Sequence, residues 1–402
     1  MRGRRQQRPP AQEAPHVRQF RRIEALPPYV FATVDQLKRK LRREGHDVID
    51  LGFGNPDIPS PELAVEKLRE AVLNPRNHRY SASRGIEQLR HAISEHYART
   101  YHVELDPETQ VVSTIGAKEG LAHLMWVLVE SGDTVVVPTP AYPIHQVAPR
   151  LAGATVVTAN VTHGIDAIEA AVDASNARVV LVSYPHNPTT AVATPEDMQR
   201  LVDLALEHDL ILVHDFAYAD IYFDGHTPPS ILAADGADTC AVELYSLTKS
   251  FSMAGWRVGF VLGNPGVVAA LAKLKSYLDY GTFQPIQIAA TVTLRHDHRQ
   301  IPHVREIYQR RRDALCGGLQ RAGWDVPPPT GTMFVWAQIP EPWRDEGSLA
   351  FAVRLAREAH VAVSPGVGFG RQGDEHVRFA LVENQQRILQ ATRQIQRLLD
   401  RQ

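Results

Sequence analysis

From residue 110 onward, short apolar runs alternate with longer amphipathic stretches. The runs fall at 111–113, 134–137, 179–183, 210–213, 241–245 and 258–262. Each ends in a polar or Gly/Pro-rich turn, and helical spacing follows at 119–130 and 195–208. The runs lack the in/out alternation of a half-exposed strand. That pattern predicts an α/β fold, with a mostly parallel sheet covered on both faces by helices. In such sheets ligands bind beyond the carboxyl ends of the strands. The turns at those ends are therefore the first place to look for chemistry.

Before the repeating part, Val30, Val34, Leu37 and Leu41 share one face of a predicted helix over 29–43. A short strand at 48–51 runs into Gly52-Phe53-Gly54-Asn55-Pro56-Asp57, a sharp turn. Helices are expected at 61–73, 86–97, 267–280, 287–296, 304–322, 348–360 and 384–399. Short strands are expected at 334–336, 361–363 and 377–380. Mixed helices and short strands near the end imply a smaller α+β domain. The expected division is a basic disordered tail (1–21), an N-terminal arm forming part of the small domain (22–53), a large ligand-binding domain (54–294) and a C-terminal small domain (295–402).

Composition narrows the class without identifying it. Hydrophobic residues make up 44% and charged residues 22% of 402, as in an ordinary soluble globular protein. A net charge of −2 provides no global field towards nucleic acid or an anionic membrane. Two cysteines, Cys240 and Cys316, form neither a metal-ligand spacing nor a disulfide framework, so a reducing cytoplasm is expected and no metal. No uncharged apolar run reaches membrane-spanning length. The Arg-rich start lacks the apolar stretch of a secretory signal, and its prolines and Glu13 argue against a transit peptide.

The turns then supply candidate chemistry. In Ser246-Leu247-Thr248-Lys249-Ser250, a lysine sits among hydroxyls at the end of a buried strand. Desolvation and neighbouring cations would lower its pKa and expose a nucleophilic amine. Ser246, Thr248 and Arg257 suit a phosphate, and amine plus phosphate cradle points to pyridoxal phosphate held as a Schiff base. Gly116-Ala117-Lys118 opens a helix, whose free N–H groups also bind phosphate. Asp215 ends a buried strand, where it could pair with a protonated pyridine nitrogen or simply cap a helix. Asn187 and Tyr218 could donate to a ring oxygen. Tyr142 could stack on the ring or be an ordinary core tyrosine. Arg378, in an apolar strand, needs a partner: a substrate carboxylate or a buried Asp or Glu. Glycine at Gly54 would let a ligand approach the backbone, though a plain turn explains it equally.

The order of these features resembles the class I/II aminotransferases, pyridoxal-phosphate enzymes of fold type I, over roughly residues 22–399. Ser246-Leu247-Thr248-Lys249 with Ala254-Gly255-Trp256-Arg257 carries the lysine motif. Asn187-Pro188-Thr189 and Asp215-Phe216-Ala217-Tyr218 carry the ring-binding motifs. The segments 22–31, 115–124, 279–283 and 364–370 are most similar to the alanine (glutamate–pyruvate) branch. The resemblance implies a mostly parallel seven-stranded sheet and a pyridoxal 5'-phosphate cofactor on Lys249. It implies that Asp215 holds the pyridine nitrogen, Asn187 and Tyr218 the phenolic oxygen, and Tyr142 the ring face. Ala117, Lys118, Ser246 and Arg257 would bind the phosphate. Tyr80 would reach the phosphate of a neighbouring subunit, which makes the expected state a homodimer with shared sites. Arg378 and Asn187 would bind the substrate carboxylate, with Gly54 and Tyr29 lining the substrate side.

One residue departs from the family pattern. His186 replaces the small Ser or Asn common before that asparagine; a titratable imidazole beside the ring could alter substrate choice or add acid–base chemistry, and tolerated loop variation is the alternative. The implied reaction is amino-group transfer between an L-amino acid, alanine- or glutamate-like, and a 2-oxo acid. The alternative is a biosynthetic enzyme of the same fold performing elimination, decarboxylation or carbon–carbon bond formation. A ligand-sensing module of a transcription regulator would need a DNA-binding domain, which the basic N-terminal stretch is too short to form.

Overall fold

A computed structural model describes residues 20–27 and 29–401. The expected basic tail therefore lies almost wholly outside the described residues. The first strand, β1 (Ile49–Asp50), is short. The main sheet follows, built from β2 (Val111–Thr114), β3 (Thr134–Thr139), β4 (Thr155–Asn160), β5 (Ala177–Val182), β6 (Ile211–Asp215), β7 (Ala241–Ser246) and β8 (Gly259–Gly263). Its order is β2-β8-β7-β6-β5-β3-β4. The pairs from β7 through β4 are parallel, while β8 runs antiparallel to both β7 and β2. This is the expected α/β architecture.

Six of the seven strands match the apolar runs. The seventh, β4, pairs only with β3 at the sheet edge, and its residues are mostly half-buried or exposed. A strand buried on one side only gives no continuous apolar run, so periodicity does not reveal it.

Strand composition fixes where the catalytic turns lie. Central strands β5, β6 and β7 are buried on both faces by two apolar clusters. At the end of β6, alternation sends neighbouring side chains to opposite faces. His214 is wholly buried with Glu243 of β7, Nδ1 donating to Oε2 at 2.8 Å. Glu243 also accepts from Tyr97 and Ser230 hydroxyls, at 2.7 and 2.8 Å. This network locks β6 to β7, so that Asp215, the next residue, emerges at a fixed position.

The last strands, β9 (Phe334–Gln338), β10 (Val361–Ala362), β11 (Ser364–Pro365) and β12 (His376–Ala380), make two smaller sheets. One has the order β11-β12-β9, and β10 pairs in parallel with β1. A third apolar cluster joins Val34, Leu41 and Val48–Leu51 to the helices Gln300–Arg321 and Gln385–Leu399. The N-terminal segment thus packs on C-terminal elements, and Arg311 grips Asp57 through two bonds of 2.6 and 2.7 Å. That pair ties the turn after Gly54 to the helix Gln300–Arg321.

Candidate active site

The carboxyl ends of β5, β6 and β7 open into a cavity of about 680 Å³, which β12 and the helix Phe31–Arg43 close from the other side. Most of the residues singled out from sequence line it: Tyr29, Gly54, Ala117, Lys118, Tyr142, Asn187, Asp215, Tyr218, Ser246, Thr248, Lys249, Arg257 and Arg378. Tyr80 lies elsewhere, 85% exposed, with its ring 4.7 Å from that of Tyr280.

Lys249 rides on the short helix Leu247–Ser250, which starts where β7 ends. Ser246 caps that helix, its Oγ accepting from the Thr248 N–H at 3.1 Å. The lysine Nζ donates to the Gly54 carbonyl at 2.8 Å and has no carboxylate partner among the described residues. Desolvation, followed by the positive charges of Arg378 and Arg257, lowers its pKa to about 7 from 10.5. A free amine is therefore present near neutral pH.

The phosphate-type cradle forms where β2 leads into the helix Ala117–Leu128. Gly116 takes a φ of +79°, and a Cβ there would collide with the Arg257 guanidinium. Arg257 itself adopts a left-handed backbone, φ +56°, an uncommon conformation for a non-glycine residue. Turn and arginine are thus packed against each other, presenting N–H groups and a guanidinium to one space. Lys118 adds a third source of positive charge, its Nζ 5.5 Å from the Tyr142 ring centroid.

Asp215 Oδ2 accepts from His145 Nε2 at 2.7 Å, and Oδ1 accepts from the Ala217 N–H at 3.2 Å. The carboxylate is 13% exposed, and it opens only to the cavity. Sequence reasoning missed His145. It stands three residues after Tyr142 in the helix Pro143–Ala152, and nothing local marks its pairing with a residue 70 positions away. Across the cavity, Asn187 Nδ2 lies 3.4 Å from the Tyr218 hydroxyl. Burial raises the Tyr218 pKa well above its ordinary value, so the phenol keeps its proton.

Arg378 is the most telling group. It is buried, sandwiched by Phe334 and Phe369 at 3.9 and 4.7 Å from their centroids. It donates to Asn187 Oδ1 at 2.7 Å and to the Gly52 carbonyl at 3.1 Å, and its Nε has no partner. Among the described residues no Asp or Glu pairs with it. The buried ion pair allowed by sequence is therefore not what holds it. Desolvation lowers its pKa to about 10, against 12.5 ordinarily. A buried guanidinium without a counter-ion is costly, and an incoming carboxylate relieves that cost.

Of the two readings of His186, ordinary loop variation fits its position. It is 2% exposed, absent from the cavity wall, and hydrogen-bonded through Nδ1 to Thr189 Oγ1 at 2.7 Å. Burial drops its pKa to about 3, so it stays neutral and faces protein. The sequence argument for a diverted chemistry loses its basis. Glu119, His123 and Asp279 are close enough to share a cation, but Lys275 Nζ already sits 3.2 Å from Glu119 and 3.0 Å from Asp279.

Comparison with known proteins agrees with this geometry. The family described as aminotransferase class I and II matches residues 46–395. The chain belongs to the class I and II aminotransferases. It is 49% identical to glutamate-pyruvate aminotransferase AlaC of Escherichia coli (strain K12), over 94% of this chain and 93% of that one. It is 38% identical to an LL-diaminopimelate aminotransferase of Desulforudis audaxviator, over 95% and 98% of the two chains. A solved Thermus thermophilus aspartate aminotransferase superposes with a TM-score of 0.88 at 28% identity, covering 95% of this chain and all of that one. The reaction is transfer of an amino group between an amino acid and a 2-oxo acid.

Proposed function

We propose that this aminotransferase uses pyridoxal 5'-phosphate on Lys249 and exchanges the amino group of an alanine- or glutamate-like L-amino acid with a 2-oxo acid. The observation that carries the reading is a buried lysine whose pKa is lowered to about 7 and a buried arginine with no carboxylate partner among the described residues, both facing one cavity. The first suits condensation with an aldehyde, and the second suits an α-carboxylate. The similarity to the Escherichia coli enzyme supports the alanine/glutamate choice.

The fit to the cofactor rests on three features. The Gly116–Ala117 turn, Lys118, Ser246 and Arg257 offer donors and positive charge for its phosphate. Asp215, oriented by His145, offers a carboxylate for a pyridine N–H, and Asn187 with Tyr218 offers donors for the phenolic oxygen. Tyr142 would cover the ring face. When bound, the cofactor supplies an electron sink that acidifies the substrate Cα–H bond. Arg378 would then grip the α-carboxylate by two parallel bonds and orient that Cα–H towards Lys249. Lys249 Nζ, the base, removes the α-proton and returns it on the other side of the transfer. Gly54 brings backbone close, since a Cβ there would strike the Phe334 ring.

We assign the working unit as a homodimer. Tyr80, Tyr277, Tyr280 and Phe283 are exposed at 85%, 82%, 56% and 43%, and exposed aromatic side chains of this size suit burial against a second copy. Tyr80, remote from its own chain's cavity, would complete the phosphate site of the partner. Two free, buried cysteines and the absence, among the described helices, of one long and apolar enough to cross a membrane fit a cytoplasmic enzyme. Incubation with L-alanine and 2-oxoglutarate tests the reading. Pyruvate and glutamate should appear with the wild type and not with Lys249→Ala. Full turnover by that variant, or no product with the wild type, would refute it.

A further inference from the structure

The cavity that holds Lys249 and Arg378 is also lined by a polar group on and beside the helix Phe31–Arg43: Asp35, Lys38, Arg39 and Asp50. Lys38 Nζ lies 2.8 Å from Asp35 Oδ1 and 2.6 Å from Asp50 Oδ2, and its side chain is 13% exposed. Its two carboxylates are anchored differently. Asp50 Oδ1 also accepts from the Gly52 N–H at 3.0 Å, and the Gly52 carbonyl accepts from Arg378. Asp50 is thereby tied to the strand that supports Arg378. Asp35 is tied only to its own helix and to Arg39, whose side chain is 72% exposed.

The other cations of the cavity have tasks under the aminotransferase reading, on which this inference rests. Lys118, Lys249 and Arg257 serve the cofactor, and Arg378 the α-carboxylate. Lys38 and Arg39 remain. We propose that Lys38 selects the substrate side chain, taking the distal carboxylate of a five-carbon dicarboxylic substrate while Arg378 holds the α-carboxylate. The arriving carboxylate replaces Asp35 on the lysine, and Asp35 stays paired with Arg39 at the solvent edge. The ammonium keeps two carboxylate neighbours throughout, and the one excess negative charge falls on Asp35, which shares the solvent edge with Arg39. A small neutral side chain such as that of alanine leaves the Lys38–Asp35 pair closed. One cavity can thereby serve an acidic and a small substrate in alternate half-reactions, without a separate site for each.

The test uses the cofactor-loaded enzyme in single half-reactions with L-glutamate or L-alanine, followed by absorbance. With Lys38→Met, the KM for glutamate should rise about tenfold or more, while kcat and the alanine half-reaction change less than about twofold. Lys38→Arg should recover most of the loss, and Asp35→Asn should lower the glutamate KM by removing the competing carboxylate. Calorimetric titration with glutarate, which cannot react, should show binding weakened about tenfold in Lys38→Met. Equal losses on both amino acids would mean that the lysine only pins the helix, and would overturn the proposal. So would an unchanged glutamate KM in both Lys38→Met and Asp35→Asn. A wild type that reacts with neither amino acid refutes the aminotransferase reading itself. A wild type that reacts with both, beside indifferent variants, refutes only the role of Lys38.

Discussion

At the scale of single residues, the site runs on two groups held against their solution preferences. Lys249 is pressed to about 7 by burial and by its cationic neighbours. Above that value the folded amine is neutral, whereas an ordinary lysine would stay protonated to about pH 10. In cofactor-free protein, the rate of Lys249 modification by pyridoxal phosphate should therefore rise through pH 7 and level off by about pH 8. A rate still climbing at pH 10 would place the amine in an ordinary environment. Arg378 is the second group. Arg378→Lys keeps a positive charge but loses the fork, so the amino-acid KM should rise about 10- to 100-fold, equivalent to roughly 1.5–3 kcal/mol of charged hydrogen bonding. Thermal denaturation of the cofactor-free variant should match the wild type within a few degrees, since the arginine has no counter-ion to lose. These residues were legible in sequence because each is a polar group at the end of an apolar strand. His145 and Lys38 were not, because they lie on amphipathic helices where polar residues are ordinary and their partners, Asp215 and Asp50, are set by tertiary packing.

At the scale of elements, the decisive unit is a strand followed by a turn that only a few residue types tolerate. The Gly116 turn combines positive φ with the Arg257 guanidinium packed on its Cα. Gly116→Ala would add about 1–3 kcal/mol of backbone strain and push that arginine aside. We expect a folded protein, by circular dichroism, whose affinity for pyridoxal phosphate falls at least about tenfold in a fluorescence titration. Undiminished affinity would remove Arg257 and the turn from the phosphate cradle. Element types were readable wherever burial was two-sided, as in β5, β6 and β7. They were unreadable at β4, where a half-exposed edge strand carries a mixed pattern. Helix boundaries also shifted by a few residues. The long helix Gln300–Arg321 begins at Gln300 rather than 304, because Pro302 in its first turn reads as a break although proline is tolerated there.

At the scale of the whole molecule, one chain places nearly all of its chemistry in one cavity and leaves one aromatic face uncovered. Tyr80 and Tyr280, whose rings lie 4.7 Å apart, belong to that face, and Tyr277 is exposed three residues before Tyr280. Light scattering should give a mass near twice 44.7 kDa. Tyr277→Glu with Tyr280→Glu should shift the protein towards monomer and lower its cofactor content together. A fully active monomer would contradict the shared site. The N-terminal helix that carries Lys38 packs with C-terminal elements through the cluster around Val34 and Leu41. Long-range packing of this kind, between the two ends of the chain, leaves no local trace in sequence.

The proposed reaction depends on a covalent link between Lys249 and pyridoxal phosphate. Borohydride reduction of the pyridoxal-phosphate-loaded protein, followed by proteolysis and mass spectrometry of the peptides, tests it most directly. The account predicts a single phosphopyridoxyl group on Lys249. A label on Lys118, Lys38 or any other lysine, or none at all, would contradict it.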